Sequence, residues 1–165
     1  MEGLHQRHWV ATVVITGVLC ASPVRLRGPE TGPATRLLAA MKQLNSAQVA
    51  FAATCGDNGF ASTLDQLKTS GIQGGGDTFF QGPPPELQGP LDGMQLRLQP
   101  RSRVVPGPRD CRGLQTTTEY YASATFGRPS WKGPSFAMVS DGVIWRSETA
   151  DPPREPFGAP ATQVK

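Results

Sequence analysis

Histidine chemistry in this chain would rest on His5 and His8, the only two histidines in 165 residues, and both precede an apolar stretch within the first 22 positions. If that stretch is removed on export, the remaining chain has no imidazole, and neither a Ser/His/Asp nor a Cys/His nucleophile can be assembled. Histidine-ligated zinc goes with it. Of the three cysteines, Cys20 belongs to the apolar stretch, and Cys55 and Cys111 alone are too few for a structural zinc site. Carboxylates are more plentiful, but nearly all of Asp57, Asp65, Asp110, Glu119, Asp141 and Glu148 fall in turns, caps and loops, where acidic residues serve the local backbone. Calcium held by the Asp57 and Asn58 turn, or by Asp141 and Glu148, lacks the ligand density of a calcium loop. The expectation is a non-enzyme with no catalytic residues, no metal and no cofactor.

Charge excludes another class. The formal net charge is +3, with the positive residues scattered. "RLQPRSRVV" at 97 to 105 is the nearest thing to a basic patch, and its apolar residues suit a strand leaving a core. Phosphate affinity needs clustered charge, so no nucleic-acid partner is expected. Gly (19) and Pro (16) make up about a fifth of the chain, against an average near 12%. That composition points to one small, loop-rich domain.

The elements that must position these residues begin with "WVATVVITGVLCAS" (9 to 22), which carries no charge. It is shorter than the ~20 residues of a membrane-spanning helix and fits the apolar region of a signal peptide. Cleavage between Ser22 and Pro23 would place small Cys20 and Ser22 at the specificity positions. Two alternatives stay open: an uncleaved short anchor, in which case residues 9–22 are the sole membrane contact, and a lipidated Cys20, which has Leu19 where a small residue is expected. Each puts the body outside the cytoplasm, whether periplasmic, extracellular or envelope-anchored. In such an oxidising compartment Cys55 and Cys111 are an even pair, and a disulfide is the economical reading. It would close a loop of about 57 residues, worth on the order of 4 kcal/mol by chain entropy. Two separate buried thiols are the alternative.

Residues 23 to 33, "PVRLRGPETGP", form a linker whose prolines forbid a continuous helix. From Ala34, Leu37, Leu38, Met41, Leu44, Ala47, Phe51 and Cys55 recur at spacings of three and four, which predicts one long helix with one buried stripe. "CGDNG" ends it at Gly56 and Gly59. "STLDQL" predicts a short helix capped by Ser62, with Asp65 completing the box. The loop at 70 to 92 lacks the lysine and serine of a phosphate-binding loop. Strands are predicted at "GMQLRLQ" (93 to 99), at "TTTEYYASATF" (116 to 126), and on both sides of Asp141 and Gly142 in "SFAMVSDGVIWRS". Trp145 ends an apolar run and reads as core, and Trp131 is the other exposed-aromatic candidate. The fold class is α+β, one long N-terminal helix on an antiparallel sheet of about four strands, within residues 34–150. The tail, 151–165, reads as disordered from its prolines.

"MKQLNSAQVAFAATCGDNGFASTLDQL" (41 to 67) resembles the helix of a group of bacterial type IV pilin-like and pseudopilin globular domains, with the pattern "LRxINTAQxxYAxxxxxGYAxSLxxL". Leu44, Asn45, Ala47, Gln48, Phe51, Ala52, Gly59, Phe60, Ala61, Leu64 and Leu67 carry the match. "YYASATF" is similar to that group's "YxxxAxP" strand, and "SFAMVSDGVIW" to its closing "RSFxVDxxGVIR" hairpin. The prepilin peptidase motif and the unbroken N-terminal helix are missing. The resemblance implies an exported pilin-like domain, an accessory or minor component of a type IV pilus or type II secretion-like system, with pilus or secretion components of the cell envelope as partners. A free-standing envelope or extracellular binding protein that keeps the fold is the alternative.

Overall fold

A computed structural model describes residues 32–68, 78–81 and 93–164. The expected cleavage site at Ser22 and Pro23, most of the 23–33 linker and nearly all of the 70–92 loop lie outside the described residues. Helix α1 (Pro33–Thr54) begins with proline at its first position, where the fixed φ suits a helix and the missing N–H costs nothing. It buries Leu37, Ala40, Met41, Leu44, Ala47, Gln48 and Phe51, so the predicted stripe is present. Leu38 stands at its margin, and one amide side chain lies inside it.

After the helix comes α2 (Leu64–Lys68). Its cap differs from the expectation by one residue. Gln66 N–H donates to Thr63 Oγ1 at 3.2 Å, and the Gln66 side chain reaches back to accept from Ser62 N–H at 2.9 Å. Asp65 points outward and meets Lys68 at 3.5 Å. Glutamine, longer than aspartate by one methylene, spans the distance that closes the box.

The strands are β1 (Met94–Pro100), β2 (Pro106–Arg109), β3 (Gln115–Thr117), β4 (Tyr120–Phe126), β5 (Ser135–Val139), β6 (Ile144–Ser147) and β7 (Thr162–Gln163). Five of them form one antiparallel sheet in the order β1-β4-β5-β6-β7, and β2 and β3 form a separate hairpin. The single strand expected over 116 to 126 is divided. Thr117 Oγ1 donates to Glu119 C=O at 2.7 Å, and Arg101 N–H donates to the same carbonyl at 3.2 Å. These bonds turn the chain between β3 and β4. Two prolines in β2 are tolerated because a hairpin edge needs fewer ladder donors.

Register settles which side chains meet α1. Leu96 and Leu98 stand opposite Ala124 and Ala122, and Ala122 stands opposite Met138, so these residues share the helix-facing side with Phe136 and Ile144. Tyr120 completes that core. Burial pushes its phenol up to about 12, and its OH donates to Asn45 Oδ1 at 3.3 Å. On the other side lie Tyr121, Ser123, Thr125, Ser135, Ala137 and Trp145.

Ser123, Ser135 and Ala137 are nonetheless buried, because the proline-rich tail crosses over them. This corrects the expectation of disorder over 151–165 for all but its last residue. Ser135 Oγ donates to Thr149 C=O at 2.8 Å, Thr125 Oγ1 to Ala150 C=O at 2.7 Å, and Tyr121 OH to Pro153 C=O at 2.6 Å. Phe157 then stacks on both Tyr121 and Trp145, at centroid distances of 6.4 and 5.4 Å. The chain returns to pair as β7 on β6. Prolines lower the entropy lost on ordering such a segment, and composition alone does not register the hydroxyl groups waiting on the sheet. Phe157→Ala is therefore expected to lower unfolding free energy by about 1–3 kcal/mol. An unchanged urea midpoint would show that the Phe157 stacking contributes nothing to stability.

Candidate functional site

Cys55, at the end of α1, and Cys111, between β2 and β3, form a disulfide with Cα atoms 4.8 Å apart. Cys111 N–H also donates to Cys55 C=O at 2.7 Å. The bridge thus ties the last helical turn to the tip of the β2–β3 hairpin. That turn closes tightly: Cys55 and Gly56 N–H both donate to Phe51 C=O, and Asn58 N–H donates to Ala52 C=O. The left-handed residues are Asp57 (φ 49°) and Asn58 (φ 67°) rather than the glycines. Gly56 and Gly59 are required for space. A Cβ at 56 would strike Gly59 C=O and the Phe51 ring, and one at 59 would strike Thr116 Oγ1.

The hairpin tip is organised by Asp110, whose side chain is wholly shielded from solvent. A buried carboxylate needs partners. Asp110 Oδ1 accepts from the backbone N–H of Arg112 (2.9 Å) and Leu114 (2.8 Å), and Oδ2 accepts from Gln66 Nε2 (2.9 Å) and Arg112 Nη2 (3.2 Å). Arg112 Nη2 also donates to Gln66 C=O at 2.8 Å, which closes the network onto α2. Burial by itself raises the Asp110 pKa, but the hydrogen bonds from Gln66, Leu114 and Arg112 outweigh it and hold the carboxyl below its ordinary range.

Gln48 completes the lobe from the helix side. It is fully buried, donates through Nε2 to Ala61 C=O at 3.0 Å, and accepts at Oε1 from Ala61 N–H at 2.9 Å. Next to Ala61, Phe60 exchanges backbone bonds with Thr117 of β3. A side-chain amide therefore does for residue 61 what a neighbouring strand would do. In the sequence Asp110 reads as a turn residue and Gln48 belongs to the resemblance, and neither their burial nor the part Gln66 plays is foreseen there. The available signals were a glutamine on an apolar stripe and an aspartate opening a "DCRG" turn.

The remaining candidates are dispersed. Asp141 accepts from Val143 N–H at 2.8 Å in the β5–β6 turn, whereas Glu148 pairs with Arg146 beyond the far end of β6. Among the described residues no three of His, Cys, Asp and Glu gather into a metal-binding group. Trp131 packs on Phe126 at 4.7 Å and donates to Pro134 C=O, and Trp145 is stacked as above. One cleft of about 420 Å³ lies over Gln99, Ser102, Tyr121 and Arg154, and there Arg101 is held between Glu119 and Glu155 at 2.7 Å each. Another, of about 520 Å³, lies between α1 and the β6–β7 edge.

No family model matches the chain, and neither a curated protein nor a solved structure shows significant similarity to it.

Two outcomes follow from the lobe. Because the folded-state pKa of Asp110 is depressed, its stabilisation is present above the unfolded value near 3.9 and is lost as pH falls through the folded value. Asp110→Asn should be less stable than wild type at pH 7, and the gap should narrow in chemical denaturation below about pH 4. A gap that stays constant down to pH 2 would rule out the charged form as the stabilising one. Replacing Cys55 and Cys111 together by serine should lower stability by about 2–4 kcal/mol. Far-UV circular dichroism should stay unchanged at 25 °C, since the Asp110 network still holds the hairpin.

Proposed function

We propose that this chain is a non-enzymatic, exported pilin-like domain that serves as an accessory or minor component of a type IV pilus or type II secretion-like system. The observation that carries the reading is α1, 22 residues long, lying on one face of an antiparallel sheet with its last turn tied down by Cys55 and Cys111. That is the layout the sequence resemblance implies. A disulfide fits an oxidising compartment, and no helix among the described residues is long and apolar enough to cross a membrane. The exposed side of α1 in its C-terminal half, Ser46, Val49, Ala50, Ala53 and Thr54, carries no charge, and Val49 is 58% exposed. Such a surface suits protein contact.

A free-standing envelope or extracellular binding protein is the second reading, favoured by the open cleft beside β7. The two are separated by in vivo crosslinking and affinity capture from the native envelope, with intact-mass analysis of the unreduced protein. Recovery of pilus or secretion-system subunits, with a chain starting near Pro23 and two hydrogens lighter than its reduced form, is expected. A reduced chain still carrying Met1 in the cytosolic fraction would overturn export. Repeated capture without any such subunit would leave the free-standing binder.

A further inference from the structure

Among the described strands β7 is the last of the sheet, and its outer side is an edge. It pairs Thr162 with Arg146 and Gln163 with Trp145, and Val164 N–H donates to Ile144 C=O at 2.8 Å. Ladder bonds alternate along an antiparallel pair. Thr162 and Val164 therefore turn their backbone groups toward β6, and Gln163 turns its N–H and C=O outward. No partner for them occurs among the described residues. A short edge with open backbone groups is a template for another strand.

The groove beside this edge encloses about 520 Å³, within the range of ligand-binding clefts. Ile144, Val143 and Val164 supply apolar surface, and Lys42, Asn45 and Ser46 of α1 form the opposite wall. Asn45 Oδ1 is engaged by Tyr120 and Ser46 Oγ by Lys42 C=O, so Asn45 Nδ2 and the Lys42 ammonium remain as donors. Lys42 is exposed, and among the described residues it is the one charged side chain in the lining and makes no ion pair. Gly142, at φ +75°, lets the β5–β6 turn lie against Asn45 and close one end.

We propose that the groove between α1 and the β7 edge docks an extended, acidic segment of a partner protein, which adds to β7 as a sixth strand and sets one carboxylate against Lys42. The register then fixes specificity. Alternate side chains of the segment enter the groove toward Val143 and Val164, and those between them face solvent. This assignment does not depend on the pilus-like reading, since edge backbone and Lys42 define it.

The test is fluorescence anisotropy of the full chain with two labelled seven-residue peptides of alternating valine and threonine, one carrying a central glutamate and the other a central lysine. The glutamate peptide is expected to bind more tightly, with amide shifts in NMR spectra confined to residues 42–46 and 162–164. Gln163→Pro removes the outward N–H and leaves the bonds to β6 in place, so it should weaken the glutamate peptide about three- to tenfold. Lys42→Glu should weaken it up to about fivefold and reverse the preference between the two peptides. Equal affinity for both peptides, no binding by the full chain, or indifference to both substitutions would overturn the proposal. So would sedimentation showing a dimer that Lys42→Glu dissociates, since the occupant would then be a second copy.

Discussion

A β-sheet has two faces, and the described part of this chain offers only one long helix to cover them. Everything else in the architecture answers that constraint. α1 takes the side of Ala122, Ala124, Phe136 and Met138, whose small and large side chains accept the stripe of Leu37, Met41, Leu44 and Phe51. The other face would leave Ala137, Val139 and Trp145 in water if nothing lay across it. The tail supplies that cover, and it is matched to a polar surface rather than an apolar one. Ser135, Thr125 and Tyr121 donate to its carbonyls, Phe157 stacks on Tyr121 and Trp145, and Pro153 is buried.

The C-terminal end of the helix meets a second constraint, since three pieces of irregular chain converge there and each brings backbone groups that burial would orphan. Gln48 satisfies residue 61, Gln66 and Arg112 close on Asp110, and Phe60 bonds to Thr117. The disulfide is one fastening among several. Removing any single polar partner leaves the others buried, which makes such a network costly to break. The lobe's buried carboxylate, Asp110, accepts four hydrogen bonds, from the backbone of Arg112 and Leu114 and from the side chains of Gln66 and Arg112.

Among the described residues, the helix face of Val49, Ala50 and Ala53, the cleft at Arg101 and the β7 edge are open surfaces. Charge distinguishes them. Arg101 is already neutralised by Glu119 and Glu155, whereas Lys42 at the β7 groove pairs with no carboxylate among the described residues. A binding or assembly role is consistent with this distribution, and the spare donors lie beside the open strand edge.

The long helix was legible because its stripe repeats every three to four residues, and that period survives any tertiary context. The Asp141 and Gly142 turn was legible for a similar reason, since its backbone geometry is local and selects those residue types. The cysteine pair was the economical reading of an even count once Cys20 was set apart with the apolar stretch, with two separate thiols as the alternative. What the sequence could not decide depends on contacts across distance. Thr116 and Tyr120 look continuous in a list of β-formers, and only the bonds of Glu119 C=O with Arg101 and Thr117 divide them into two sheets. The tail looks disordered because its prolines offer no periodicity, and hydroxyl groups 14 to 32 residues away hold it to the sheet. Asp110 reads as one turn residue among many, and the largest of the hydrogen bonds that favour its buried charge comes from Gln66, 44 positions earlier in the chain. Local periodicity determined the elements, and long-range hydrogen bonding decided which surfaces they cover and which remain open.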